Sequence, residues 1–181
     1  MHHMKKLLII FIVPLFFAAC TSSSSDTTAS TNKDSVTASA VNLPYTAMYS
    51  SNFVPGKPAD VATVLNNYKA WQDNNMPSMK ATFGDSVMLI FPSGFVFNNT
   101  LDSLMKDAKK VRDSLSKVDL TFYAWISNHS VDKNEEWVNV WYKEIDTYKT
   151  GKVDSTFYED DNRLKDGKII WVSSHQQKYK K

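Results

Sequence analysis

The second half of the chain is almost entirely strand signal, and that constrains the fold more than anything else in the sequence. Residues 118–127, 137–148, 153–162 and 168–177 are rich in β-branched and aromatic side chains, and turn clusters separate them: Asp132-Lys133-Asn134, Thr150-Gly151-Lys152 and Asp166-Gly167. Strands joined by turns this short pair with their neighbours as antiparallel hairpins. Four such strands make one long, curling sheet, and a sheet must bury one face against something else.

The first half supplies the cover. Val61, Val64, Leu65, Tyr68 and Trp71 recur at helical spacing, with Pro58 in the first turn and Asn74-Asn75 beyond the last. A short second helix over 77–82 is expected next. Gly84-Asp85 then turns into the apolar run Val87-Met88-Leu89-Ile90-Phe91, Pro92-Ser93-Gly94 makes a turn, and Phe95-Val96-Phe97 returns. Thr100 is placed to cap a third helix whose apolar positions are Leu101, Leu104, Met105, Ala108, Val111 and Leu115. The pattern is that of an α+β domain over 58–181, large enough for a single core.

The N-terminal residues have a different grammar. Lys5 and Lys6 form a positive start, residues 7–17 an apolar stretch too short to span a bilayer, and Ala18-Ala19 small residues ahead of Cys20, the one cysteine of the chain. Phe17-Ala18-Ala19-Cys20 resembles the lipobox of bacterial lipoproteins, which implies a signal peptide over 1–19 and a diacylglyceryl group on the Cys20 sulfur. Residues 20–57 then read as a tether, because the Ser/Thr-rich run from Thr21 has no large apolar group with which to offset its conformational entropy. Leu43 to Phe53, with Tyr45, Met48 and Tyr49, is apolar enough to pack on the edge of the domain. The resemblance implies a cell-envelope protein, lipid-anchored in the outer membrane of a Gram-negative bacterium, since Thr21 is not the Asp of an inner-membrane retention signal. Removing Lys5 and Lys6 brings the 21 basic side chains level with the 19 acidic ones, so no basic surplus points to nucleic acid. One cysteine allows no disulfide within the chain, and the core must hold the fold alone.

The order of elements, with Phe83-Gly84-Asp85-Ser86-Val87 before the first long strand, Pro92-Ser93-Gly94 after it, Thr150-Gly151-Lys152 in a hairpin and Asp166-Gly167-Lys168-Ile169 opening the last strand, is similar to that of the nuclear transport factor 2-like superfamily. That superfamily includes SnoaL-like polyketide cyclases and ketosteroid isomerases. The resemblance implies a cone: a curved antiparallel sheet wrapped around the helices, with a cavity at its open end. It also implies the option of dimerisation through the sheet face.

Ten Phe, eight Tyr and five Trp suit such a cavity wall as well as a core. Tyr68, Trp71, Phe91, Trp125, Trp141 and Trp171 are the aromatic candidates for its lining. Strict alternation along the last strand puts Ile169, Trp171, Ser173, His175 and Gln177 on one face, so His175 is the expected polar group of the cavity, with Asp85 a candidate base at its edge. The run Glu159-Asp160-Asp161 reads as a solvated strand end. His129 and His175 alone make a poor metal site, and neither metal nor cofactor is expected. These readings favour a non-catalytic module that binds a small apolar or amphipathic molecule. An isomerase, cyclase or dehydratase using His175 or Asp85, and a dimerising interaction module of the envelope, are the alternatives.

Overall fold

Pro58 opens the first helix, where its missing N–H costs nothing and its fixed φ suits the first turn. In a computed structural model, which describes residues 43–177, this helix is α1 (Pro58–Gln72), followed by α2 (Met76–Thr82) and α3 (Leu101–Ser114). Asn75 caps α2 by accepting from the Ser78 N–H, and Thr100 caps α3 by accepting from the Ser103 N–H. Asn67 of α1 donates to the Thr82 hydroxyl at 2.7 Å, which fixes α1 against the end of α2. The strands are β1 (Phe53–Pro55), β2 (Phe83–Ile90), β3 (Val96–Thr100), β4 (Leu115–Ser130), β5 (Glu135–Tyr148), β6 (Val153–Lys165) and β7 (Lys168–Gln177). Leu115, which continues the helical spacing of α3, in fact begins β4.

The seven strands form a single curved, unclosed sheet in the order β1-β4-β5-β6-β7-β2-β3. Short connections make β4 to β7 an antiparallel meander. The β6–β7 turn uses Asp166 and Gly167, both at positive φ (52° and 71°), the backbone that a two-residue hairpin with the native strand twist demands. The sheet is nevertheless mixed, because β2 pairs with β7 in parallel. These strands are joined through α3 and the whole meander rather than by a hairpin, so alternation within either one carries no signal of their relative direction. β1 also joins the sheet, pairing antiparallel to the end of β4 within the segment that reads as tether, and the compact unit begins at Pro44.

Helices cover one face of the sheet. Val64 and Tyr68 of α1 meet Val138, Val140 and Tyr142 of β5, Leu164 of β6, Ile169 of β7, Phe83 and Val87 of β2 and Leu104 of α3. Each fully buried aliphatic among them contributes about 1.5–3 kcal/mol relative to exposure.

Two bulges alter what this face presents. In β7, Ile169 pairs with Leu164 and Trp171 with Arg163, so one residue of β7, Ile170, has no counterpart on β6. Gly84 makes room for it: a Cβ there would lie 3.0 Å from Ile170 Cγ2. In β4 the pairing with β5 slips between Phe122 and Ala124.

Candidate functional site

The helix-facing side of β6 is set by Leu164, which is buried, and alternation from it brings Asn162 and Asp160 inward too. Asp160 is 5 % exposed. It is therefore not the solvated strand end that the acidic run suggests; Glu159 and Asp161 face the other way. Its Oδ2 accepts from the hydroxyls of Tyr68 (2.6 Å) and Tyr142 (2.9 Å), and its Oδ1 accepts from Ser174. Burial pushes the Asp160 carboxyl upward, while hydrogen bonds from Ser174, Tyr68 and Tyr142 pull in the opposite direction. Both tyrosines are raised well above the ordinary phenol range, first by burial and then by the charge of Asp160. They act as fixed donors. Tyr68, Phe122, Tyr142 and Tyr158 pack ring to ring around them, with centroid separations of 4.9 to 5.7 Å, and fill the centre of the cone.

Beyond the end of α1 the same face continues uncovered. Glu144 and Asp146 follow Val138, Val140 and Tyr142 at alternating positions of β5, and with Tyr148, Asp154, Thr156, Tyr158 and Gln176 they line a polar pocket of about 100 Å³. Trp71, in the last turn of α1, donates its indole N–H to Glu144 Oε1 at 2.9 Å. The helix end is itself held by Arg112 of α3, a buried guanidinium that donates to the carbonyls of Trp71, Gln72 and Leu115. The Trp71 and Gln72 carbonyls lie at the end of α1, beyond the helix's own i→i+4 ladder.

Glu144 is pushed up to about 8, mainly by burial and further by the neighbouring Asp146, against the pull of the Trp71 hydrogen bond. Burial also raises Asp146, opposed by a hydrogen bond from Glu144 and by the charge of Arg112. Asp146 Oδ1 is buried with no N–H or hydroxyl within reach, so the proton retained on Glu144 is the donor available to it. The pair thus holds one acidic proton near neutral pH beside an open pocket.

A second charged group lies at the other end of α1. Glu136 Oε1 meets Lys57 Nζ at 2.7 Å and His129 Nδ1 at 3.2 Å, and buried Asp60 in the first turn of α1 has an Oδ2 without a donor. Among the described residues no set of three or more His, Cys, Asp or Glu side chains is arranged to hold a metal.

Of the sequence candidates, Tyr68 and Trp71 belong to the inner cluster and its rim. Trp125 is on the helix-facing side, edge-on to Phe122 at 6.5 Å, but half exposed. Asp85 is exposed on β2, and Phe91 leaves β2 to pack on Phe95 in the β2–β3 turn. Trp141, Trp171 and His175 face outward. His175 pairs with Glu159, opposite in sense to Asp160, its side chain is 63 % exposed, and its Nε2 lies 3.9 Å from Asp161 Oδ2. The bulge at Ile170 is the cause, since one extra residue reverses every side chain after it. Cys20, the signal peptide and the Ser/Thr-rich run lie outside the described residues.

Asp160, Glu144 and Asp146 are absent from the sequence candidates. A signal for them exists: counting by twos from Leu164 or from Val138 reaches all three.

No family model matches the chain, and no curated protein matches it. Solved structures do. A nuclear transport factor 2-like protein of unknown function from Burkholderia pseudomallei aligns with a TM-score of 0.55 at 16 % identity, over 67 % of this chain and 92 % of its own. A nuclear transport factor 2-like protein from an Exiguobacterium species gives 0.54 at 14 %, over 65 % and 99 %. An LEH-like epoxide hydrolase of M. tuberculosis gives 0.56 at 8 %, over 66 % and 83 %. At such identities the likeness is one of backbone, and with the curved mixed sheet and the helices on its one face it identifies the fold of this chain as the nuclear transport factor 2-like α+β cone.

Proposed function

We propose that the protein is a membrane-tethered binding domain that holds a small amphipathic molecule by a polar or cationic head group. The observation that carries the reading is the pocket past the end of α1, lined by Glu144 and Asp146, where Asp146 Oδ1 is buried without an N–H or hydroxyl donor. A head group bearing N–H donors satisfies both carboxyls, and the faces of Tyr148 and Tyr158 accommodate its positive charge or an attached apolar part. The packed rings of Tyr68, Phe122, Tyr142 and Tyr158 restrict entry to the head of the ligand, leaving its tail toward solvent or membrane. Cys20, by its lipobox resemblance, supplies the anchor.

Native mass spectrometry of the full chain, extracted from membranes in mild detergent, tests the ligand. An added mass retained by the wild type and reduced at least tenfold in occupancy in Asp146→Asn supports the reading. Bare protein in both, or equal retention, overturns it.

A second reading is favoured by one specific observation. A carboxyl held protonated to about 8 next to a second carboxyl is the arrangement of a general acid and its partner base, with Glu144 giving the proton and Asp146 receiving one. In that case the retained molecule changes chemically on incubation with wild type and persists unchanged with Glu144→Gln.

A further inference from the structure

The opposite face of the sheet has its own cavity, of about 380 Å³, lined by Tyr49, Phe53, Asn128, Trp137, Asn139 and Asp161. That volume lies within the range of small-molecule sites. The whole thickness of the sheet separates it from Asp160 and Glu144, because Trp137, Asn139 and Asp161 alternate with the helix-facing Val138, Val140, Asp160 and Asn162. The segment that leads into β1 forms its other wall: the Tyr49 ring stands edge-on to Trp137 at 5.9 Å, and Trp137 stands edge-on to Trp171 at 5.4 Å.

We propose that this cavity is a binding site for a neutral saccharide. Three side chains form a ladder across β4, β5 and β6: Asn128 Nδ2 donates to Asn139 Oδ1 at 3.1 Å, and Asn139 Nδ2 donates to Asp161 Oδ1. Each primary amide has two N–H donors and a carbonyl with two lone pairs, so the ladder consumes only part of its capacity. What remains is one N–H on each asparagine, the Asn128 carbonyl, the second lone pair of the Asn139 carbonyl and Asp161 Oδ2, a mixture of donors and acceptors at the cavity floor. A hydroxyl, which both donates and accepts, satisfies such a mixture. An anion meets the Asp161 carboxylate, and a cation finds a single carboxylate whose free oxygen already faces His175. The flanking Tyr49, Phe53 and Trp137 supply apolar surface suited to the C–H faces of a sugar ring, with Tyr49 and Phe53 each a little over two-fifths exposed. A ligand with polar edges and an apolar face matches both parts of the wall.

The test is a side-chain amide and indole NMR titration of the full chain, held in a detergent without a sugar head group, with maltotriose, cellotriose, xylotriose and chitotriose as probes. Saturable shifts of the Asn128 and Asn139 amides and the Trp137 indole by at least one probe, at a Kd of about 1 mM, are expected. Tyr49→Ala, which truncates a half-exposed wall residue, and Asn128→Ala, which removes the outer rung of the ladder, should each weaken binding about tenfold or more, equivalent to about 1.4 kcal/mol. Two variants at separate walls guard against loss of fold in either. No saturable shift with any of the four probes overturns the proposal. So does binding that survives both variants unchanged. Movement of the same resonances with protein concentration alone also overturns it, since the face then belongs to a second copy of the chain.

Discussion

Asp160 shows how one residue ties a helix to a sheet. Its carboxyl receives three hydroxyls, from Tyr68 on α1, Tyr142 on β5 and Ser174 on β7, so four elements converge on it. Asp160→Ala leaves buried phenol donors unsatisfied, and urea unfolding should show a loss of about 2–4 kcal/mol. Asp160→Asn keeps an acceptor and should cost less than half as much. Equal losses in the two variants would mean that the charge, rather than the acceptor, matters.

Glu144 predicts a pH dependence of stability. Its folded-state value of about 8 stands above the ordinary 4.5, so the native state binds the proton more tightly than the unfolded chain. The stabilisation is complete below about pH 4.5 and is lost as the pH rises through about 8. Glu144→Gln keeps an acceptor for Trp71 and cannot ionise. Its stability should lie about 1–3 kcal/mol above wild type at pH 9, with a flatter profile between 4.5 and 8. Parallel stability profiles for the two proteins would refute the assignment.

At the scale of elements, bulges and edges set what each strand presents. Ile170 re-aims the rest of β7, which puts Ser174 against Asp160 and sends His175 outward. Deleting Ile170 removes the unpaired residue and leaves Trp171 opposite Arg163 and Ser174 opposite Asp160, so His175 should stay on the outward face. The expected outcome is unchanged Tyr68 and Tyr142 ring resonances in the NMR spectrum, because the Ser174–Asp160 contact survives; a change there would mean that the bulge migrates along β7 instead of disappearing. β1 depends on a different device. Gly56 donates its N–H to the Ser127 carbonyl, and a Cβ at this position would stand 2.9 Å from the Asn128 backbone nitrogen. Gly56→Ala should therefore detach β1: amide exchange at Phe53 and Val54 should accelerate at least tenfold while β5 and β6 keep their protection. Unchanged exchange would show that the edge adapts.

The molecule as a whole has two unlike faces on one sheet. The helix-facing side is a packed aromatic and acidic core with a small polar pocket past α1, and the outward side carries an aromatic cavity with an amide ladder. If Cys20 is the anchor, Cys20→Ala should move the protein from the membrane to the soluble fraction; sedimentation with membranes in the same amount would remove the anchor from the proposal.

The strand and helix content of this chain is legible residue by residue. Thr100 caps α3, Asp166-Gly167 makes the tight turn, and Val64, Tyr68 and Trp71 mark the buried stripe of α1, because capping, turn chemistry and periodicity are local properties of the backbone. The order of those elements was enough for the cone. Sequence order alone also sets Cys20 behind a short apolar stretch, a matter of chemistry rather than of folding. Tertiary structure decided the rest. The parallel pairing of β2 with β7 joins segments about eighty residues apart, and no local pattern encodes its direction. Alternation carries the inward face from Leu164 to Asp160 and from Val138 to Asp146, yet fails between Ile169 and His175, where one unpaired residue turns the strand over. Charge placement followed from that geometry: an acidic run looks solvated in sequence, and it took the sheet and α1 closing over Asp160 to bury one carboxyl of three.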